Sequence, residues 1–88
     1  MQAVHIKTDD LGTDYDATLI EMLIRFMDGV KDVATIRSMH IISVLYDEHI
    51  ADAAQIIRAL RNNGVRARRY RPTAKRAASA QAREHALG

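Results

Sequence analysis

The sequence predicts an α+β fold in which two helices and four strands follow one another in the order βαββαβ. Residues 4–7 alternate between apolar and polar side chains, and residues 33–37 and 41–46 are rich in β-branched residues, so all three segments indicate strands. Apolar residues at helical spacing precede Gly29, and a second such set precedes Gly64. With right-handed crossovers this order gives a ferredoxin-like fold, a four-stranded antiparallel sheet with both helices on one face.

The first helix is predicted to follow a polar loop at residues 8–15. One face of this helix, turned toward the core, is predicted to hold Leu19, Ile20, Leu23, Ile24 and Met27. Gly29 then occupies the place of a C′ glycine, where a left-handed backbone is needed.

The two middle strands are predicted to form a hairpin through residues 38–40, although this connection contains no glycine. Asp52 and Gln55 have the spacing of a capping box, which predicts the start of the second helix. The apolar face of this helix is predicted to consist of Ala53, Ile56, Ile57 and Leu60. Residues 62–64 end the helix, and residues 65–70 form the last strand.

Length and composition restrict the class of protein. A chain of 88 residues, 48% apolar and 27% charged, is typical of one globular domain. No apolar run approaches the ~20 residues that span a bilayer, and no secretory signal is visible. The chain has no cysteine, which excludes thiolate metal sites and cysteine nucleophiles and favours a cytoplasmic location.

Charge is unevenly distributed along the chain. Residues 1–65 hold six Lys and Arg against ten Asp and Glu, a net charge of −4. Residues 66–88 hold seven against one, a net charge of +6. We therefore predict a folded domain at residues 1–70 and a basic, Ala-rich tail or linker at residues 71–88. Residues 73–88 are either a frayed helix or, as is favoured, largely disordered by themselves.

The spacing of several short motifs resembles that of a known family. Small domains of the heavy-metal-associated family, which carry soft metal ions on a CxxC loop, have their usual residues at the positions of Glu21, Gly29, Val30, Tyr46, Asp47 and Gly64. The resemblance covers roughly residues 3–70 and implies the ferredoxin-like fold. It also implies a connection with metal transport, because such domains precede the membrane part of metal-transporting P-type ATPases.

At the two cysteine positions of that family, this sequence has Thr13 and Asp16. A threonine three residues before an aspartate, just ahead of an apolar run, is a signature of a helix N-terminus. Copper(I) and zinc sites of the family's type need thiolates. We therefore expect no tight copper(I) binding at this loop.

Four aspartates, Asp9, Asp10, Asp14 and Asp16, crowd the loop before the first helix. One interpretation is a site for a hard divalent cation, held by Asp10, Asp14 and Asp16. A solvated loop that caps the helix is favoured, because the spacing fits no EF-hand and no terminal bidentate glutamate follows. We expect no resident cofactor, with a divalent metal as the alternative.

The histidines do not indicate a zinc site. The chain has His5, His40 and His49 in the predicted domain and His85 in the tail, and no pair has the HxxxH spacing of helical zinc ligands. We predict that they are surface residues.

Alternation in the middle strands predicts an apolar patch on the open face of the sheet. If Val44 faces the helices, then Ile36, Ile41 and Leu45 face the other way, where no helix covers them. A contiguous exposed apolar patch marks an interface, so we predict a protein partner or a homodimer at this face. Met22 on the first helix is also predicted to be exposed and suits an adaptable contact surface.

A basic run at the end of the domain consists of Arg66, Arg68, Arg69 and Arg71. One interpretation is binding of nucleic-acid phosphates or anionic lipid, with Tyr70 available to stack on a base. The favoured interpretation is an edge strand protected by cations, or docking of an acidic partner. No RNP-like aromatic pair lies on the central strands.

No catalytic constellation or phosphate-binding glycine loop is present in the sequence, so no enzyme activity is predicted. The sequence predicts a non-catalytic interaction or accessory module. It is either a stand-alone small protein or, as the resemblance implies, the N-terminal domain of or a partner to a metal-transport protein. The alternatives are a metal chaperone or sensor with Asp and His ligands, and a nucleic-acid-binding domain.

Overall fold

The computed structural model describes residues 1–71, and its elements confirm the predicted order. The elements are β1 (Gln2–Thr8), α1 (Asp14–Arg25), β2 (Val30–Ile36), β3 (Ile41–Tyr46), α2 (Ala53–Asn62) and β4 (Ala67–Tyr70). Of the tail predicted for residues 71–88, residues 72–88 lie outside the described residues. Within residues 1–71, neither helix has the length and apolar character needed to cross a bilayer.

The four strands form one antiparallel sheet in the order β2-β3-β1-β4, which confirms the ferredoxin-like fold. In the centre, Val44 of β3 lies between Val4 of β1 and Val33 of β2. The register between β2 and β3 shifts between Val30 and Asp32, so one extra residue is accommodated at the start of β2.

The core lies between the sheet and the two helices. Each layer supplies residues that are almost completely buried, such as Ile6 of β1, Ile42 of β3, Ile24 of α1 and Leu60 of α2. Burial of one such side chain stabilises the fold by about 1.5–3 kcal/mol. Both helices therefore hold their positions mainly by apolar packing on one face of the sheet.

Both predicted helix caps are confirmed by hydrogen bonds, although α1 begins at Asp14, inside the loop predicted for residues 8–15. The Asp16 backbone N–H donates to Thr13 Oγ1 over 3.0 Å, so Thr13 is the N-cap of α1. At α2, the Gln55 N–H donates to Asp52 Oδ1 over 2.8 Å, and the Asp52 N–H donates to Gln55 Oε1 over 3.1 Å. The latter pair is a complete capping box.

The predicted core face of α1 is partly wrong. The buried residues of the helix are Ala17, Ile20 and Ile24, whereas Leu19 is 42% exposed and Leu23 is only half-buried. Neighbouring residues of a helix point about 100° apart, so Leu19 and Ile20 belong to different faces. The apolar residues of α1 form two stripes, and the sheet covers one of them.

Gly29 is not the C′ residue of α1, because the helix ends at Arg25 with Phe26 as its C-cap. Gly29 has φ +88° in a turn where the Val30 N–H bonds to the Met27 carbonyl. A Cβ atom here would lie 3.0 Å from the side chain of Ile50. The Gly29 carbonyl also accepts a 2.8 Å hydrogen bond from the Asp47 N–H, which joins this turn to the end of β3.

The β2–β3 connection contains no glycine and has a histidine at its left-handed position. Residues Arg37–Met39 form a 3₁₀ turn, and His40 then adopts a left-handed conformation with φ +57°. The last strand begins two residues later than predicted, because the Arg66 N–H bonds to the Asp10 carboxylate instead of to a strand.

Candidate functional site

The loop before α1 is organised as a helix start. The Thr13 hydroxyl accepts the hydrogen bond from the Asp16 N–H, and Asp14 and Asp16 place negative charge in the first turn. Negative charge at this end is stabilised by the helix dipole. Thr13 and Asp16, which the resemblance places at the family's cysteine positions, therefore cap and start the helix here.

The loop aspartates bind different partners. Asp10 accepts from Arg66 twice, through Oδ2 to the backbone N–H at 2.7 Å and through Oδ1 to the guanidinium at 3.0 Å. These hydrogen bonds, led by the guanidinium, lower the pKa of the Asp10 carboxyl below its usual 3.8 and raise the pKa of Arg66. Asp14 instead pairs with Arg37.

Arg37, which the sequence analysis did not single out, connects this loop to the β2–β3 turn. Its guanidinium donates to the carbonyls of Leu11 and Gly12 over 3.2 and 2.9 Å, in addition to the Asp14 pair. The structure does not bring Asp10, Asp14 and Asp16 together as the predicted cation site. In residues 1–71, no three His, Cys, Asp or Glu side chains are placed to share a metal ion.

The three histidines of the described region lie apart. His5 Nδ1 is 2.7 Å from Ser43 Oγ on the open face of the sheet. His40 lies in the β2–β3 turn, and His49 follows β3 at the surface. Each is on a different part of the molecule, so they offer no shared ligand set.

The open face of the sheet carries the predicted apolar residues, with one correction. Ile36 and Leu45 are 41% and 39% exposed, whereas Ile41 is only 4% exposed. Ile41 is flanked by Ile36 on β2 and by Lys7 on β1. Because the Lys7 ammonium donates to the Met39 carbonyl over 2.9 Å, the Lys7 side chain extends along this part of the sheet. Ile41 is therefore too covered to be a main contact residue.

The open face is mixed in character and not uniformly apolar. Ala34 and Ser43 lie between Ile36 and Leu45 in the register, and Ser43 is bound to His5. Toward β4 the face becomes cationic and aromatic, with Lys7 beside Arg68 and His5 beside Tyr70. The Lys7 ammonium lies 5.6 Å from the centre of the Tyr70 ring.

The arginines of β4 divide between the two faces of the sheet. Arg68 pairs with Lys7 and is on the open face, whereas Arg69 pairs with the core residue Ile6 and is on the helix side. Arg66 is occupied by Asp10, and Arg71 is exposed at the end of the described chain.

Two further arginines, Arg58 and Arg61 of α2, complete a basic cluster that the sequence did not predict. Together with Arg69 they line a concave surface whose apolar side is formed by Ala54 and Ile57. The Nε atom of Arg61 donates to the Ala67 carbonyl over 2.8 Å, which fixes this side chain between α2 and β4. Their i, i+3 spacing was visible in the sequence, but their proximity to Arg69 depends on the tertiary fold.

Comparison with known proteins shows the fold. No family model matches the chain, and no curated protein matches it in sequence. The structure of a copper-binding domain from HMA7, a P-type ATPase, is similar with a TM-score of 0.76 at 13% identity, covering 81% of this chain and 96% of that one. The oxidized MerP of Ralstonia metallidurans CH34 gives 0.74 at 14% identity, over 80% and 97% of the two chains. The CopZ metallochaperone gives 0.71 at 16% identity, over 76% and 100%.

These likenesses confirm the ferredoxin-like fold that the motif spacing implied. The chain aligns with nearly the full length of each of these solved domains. The fold is therefore one that copper-binding domains and metallochaperones use, here built from a chain without cysteine.

Proposed function

We propose that this chain is a non-catalytic docking module on a metal-carrier fold, associated with metal transport through a protein partner and not through a thiolate-bound metal. The observation that carries the proposal is the hydrogen bond from the Asp16 backbone N–H to the Thr13 hydroxyl, which makes a helix cap of the loop that the resemblance equates with the family's ligand loop. The fold likeness to a P-type ATPase domain and a metallochaperone supports the connection with metal transport.

The chemistry of the donor set supports this proposal. Copper(I) prefers soft sulfur ligands, whereas a threonine hydroxyl and an aspartate carboxylate are hard oxygen donors. The Thr13 oxygen already accepts from a backbone N–H, and Asp14 is already paired with Arg37. Recruiting these groups to a metal would break the cap and the ion pair that organise the loop.

The proposed docking surface is the open face between β2 and β3. Ile36, Ala34 and Leu45 provide its apolar part, and Arg68 with Lys7 provides a cationic border toward β4. Interfaces commonly combine an apolar centre with a polar rim. We therefore expect a protein partner that presents an apolar centre next to acidic residues.

Restoring the thiolates tests the first part of the proposal. The full chain and its T13C/D16C variant are titrated with copper(I) in competition with a chromophoric chelator, and the single T13C variant is the matched control. We expect only the double variant to take copper from the chelator, because two thiolates must share the ion. Competition by the unaltered chain would contradict the proposal.

The docking part is tested with the soluble domains of metal transporters encoded in the same genome. Each is titrated into isotope-labelled full chain, and NMR shifts are followed. We expect shifts at Ile36, Ala34 and Leu45 with at least one domain, and their loss in the L45D variant. If none of these domains produces shifts on the open face, the proposed connection with metal transport fails.

A second candidate function, nucleic-acid binding, is favoured by one observation. Arg58, Arg61 and Arg69 line the same concave surface, and within residues 1–71 none of them has a carboxylate partner. Binding to generic single-stranded DNA at ~50 mM salt is the test, with R58A and R69A each lowering the salt slope by about one unit and K31A as the control. Absence of binding at that salt concentration excludes this function.

A further inference from the structure

The outward surface of α1 carries an apolar stripe that no part of the described chain covers. The stripe consists of Tyr15, Leu19, Met22 and Phe26, and the only phenylalanine of the chain is 82% exposed in it. Leu23 is half-buried beside the stripe, and with Leu19, Met22 and Phe26 it lines a nearly wholly apolar depression. Adjacent large apolar side chains on a surface mark a binding site.

The spacing of the stripe suits another helix. Its residues are separated by four, three and four positions, the a/d pattern by which one helix packs against another. The opposite side of α1, with Ile20 and Ile24, is already buried in the core. The stripe is therefore a second helix-packing surface, turned away from the domain.

The charges around the stripe disfavour an anionic membrane as its occupant. Asp14, Asp16, Glu21 and Asp28 lie on or next to α1, and Arg25 is its single basic residue. An anionic bilayer repels such a surface, because basic residues are what bind it. A protein helix with matching charges fits better.

We propose that the occupant is α1 of a second copy of this chain, packed antiparallel about a two-fold axis between positions 20 and 21. In this register Tyr15 of one copy lies opposite Phe26 of the other, and Leu19 lies opposite Met22. The stripe is thus self-complementary, with aromatic pairs at both ends and aliphatic pairs in the centre, as a two-fold interface requires.

Charge complementarity supports the antiparallel arrangement. It brings the acidic first turn, with Asp14 on the same edge of the stripe, next to Arg25 in the last turn of the second copy. The Asp14 side chain is 95% exposed beside its partner Arg37. Arg25 donates to the Val33 carbonyl over 3.3 Å but reaches the carboxylates of Glu21 and Asp32 only at 3.9 and 3.8 Å. The two helix dipoles also oppose each other, which is favourable for antiparallel helices.

The dimer is expected to be weak, because α1 has 12 residues and spans only about 18 Å. It lies on the helix side of the molecule, so it leaves the open sheet face accessible. The proposed dimer therefore does not depend on the proposed docking function, and each of the two can be contradicted while the other stands.

The test is the molecular mass of the full chain in sedimentation equilibrium, up to about 1 mM protein. We expect a monomer–dimer equilibrium, a dissociation constant at least about tenfold higher for F26D, and no change for L45D on the opposite face. Phe26 is so exposed that its replacement leaves the core intact, and circular dichroism checks this. A monomer at all concentrations, or a dimer lost in L45D and kept in F26D, overturns the proposal.

Cysteine cross-linking tests the orientation, since the chain contains no cysteine of its own. L19C and M22C variants are oxidised separately and as a mixture. An antiparallel pair predicts that the mixed L19C–M22C disulfide dominates. Dominant L19C–L19C and M22C–M22C disulfides would show a parallel pair and contradict the proposed arrangement.

Discussion

The β1-α1-β2 unit and the β3-α2-β4 unit have the same order of elements, yet they present different surfaces. Residues 2–36 hold three Lys and Arg against seven Asp and Glu, whereas residues 41–70 hold five against three. The outer side of α1 is apolar, with Phe26 and Met22, whereas the exposed residues of α2 are small or polar and include Arg58 and Arg61.

Packing against the sheet therefore fixes only the inner side of each unit. Both helices bury three or four residues against the same sheet, so the fold places similar demands on both. The outer sides are free to differ, and they do: the exposed side of α1 is apolar, whereas that of α2 is polar and basic.

The two units are expected to differ most in how much stability is lost on substitution of the glycine in the turn after each helix. Gly29 and Gly64 both have positive φ, +88° and +83°, but a Cβ at Gly29 would meet Ile50 at 3.0 Å while a Cβ at Gly64 would meet nothing within 4 Å. G64A should therefore cost about 1 kcal/mol from backbone strain alone. G29A adds overpacking and should cost about 2–4 kcal/mol.

Urea unfolding followed by circular dichroism measures both substitutions. Each kcal/mol shifts the melting temperature of a domain of this size by about 4–8 °C, so the two variants should be separable by heating as well. Equal losses of stability for G29A and G64A would show that the close approach of the added Cβ atom to Ile50 and Ala51 costs no energy.

A smaller difference is expected between the helix caps. D52A removes a reciprocal capping box and should destabilise the protein by about 1–2 kcal/mol. T13A removes one hydrogen bond and should cost about 0.5–1 kcal/mol. T18A, an exposed substitution within α1, is the matched control and should be neutral or slightly stabilising. A T13A variant as stable as T18A would contradict the role of Thr13 as a cap.

The fold could be predicted from the sequence where local chemistry determines it. The Asp52 and Gln55 capping box and the Thr13 cap are recognisable because each depends on residues three positions apart. The buried face of α1 was harder to predict, because Leu19 and Ile20 are both apolar and only packing against the sheet determines which of them is buried. His40 illustrates a further limit, because the turn uses a left-handed residue that its sequence does not signal.

The candidate sites were less predictable because they depend on contacts between distant residues. Arg37 reaches Asp14 across 23 positions, and Arg66 reaches Asp10 across 56. In these two pairs the loop carboxylates of Asp14 and Asp10 bind arginines. The local spacing of the aspartates does not reveal these partners. Ile41 was placed on the correct face by alternation, but its low exposure depends on Lys7 of a neighbouring strand.

The smallest expected effect concerns the Asp10–Arg66 pair, which connects the acidic unit to the basic one. The hydrogen bonds from Arg66 lower the pKa of the Asp10 carboxyl in the folded protein below its usual 3.8. The ionised carboxylate therefore stabilises the folded state. This contribution is present above the unfolded pKa and is lost as pH falls through the folded pKa. Since the pair is partly exposed, solvent screening keeps the contribution small.

The D10N variant tests this coupling because an asparagine oxygen still accepts the Arg66 N–H while its charge is gone. We expect D10N to be slightly less stable than the natural chain near pH 7 and equally stable below the pKa of folded Asp10, so that the two curves converge as pH falls. D9N is the control, since it removes a neighbouring charge and leaves both hydrogen bonds between Asp10 and Arg66 in place, so its curve should run close to that of the natural chain. Curves for D10N and the natural chain that stay parallel through the acid range would show that Asp10 does not couple the two units through its charge.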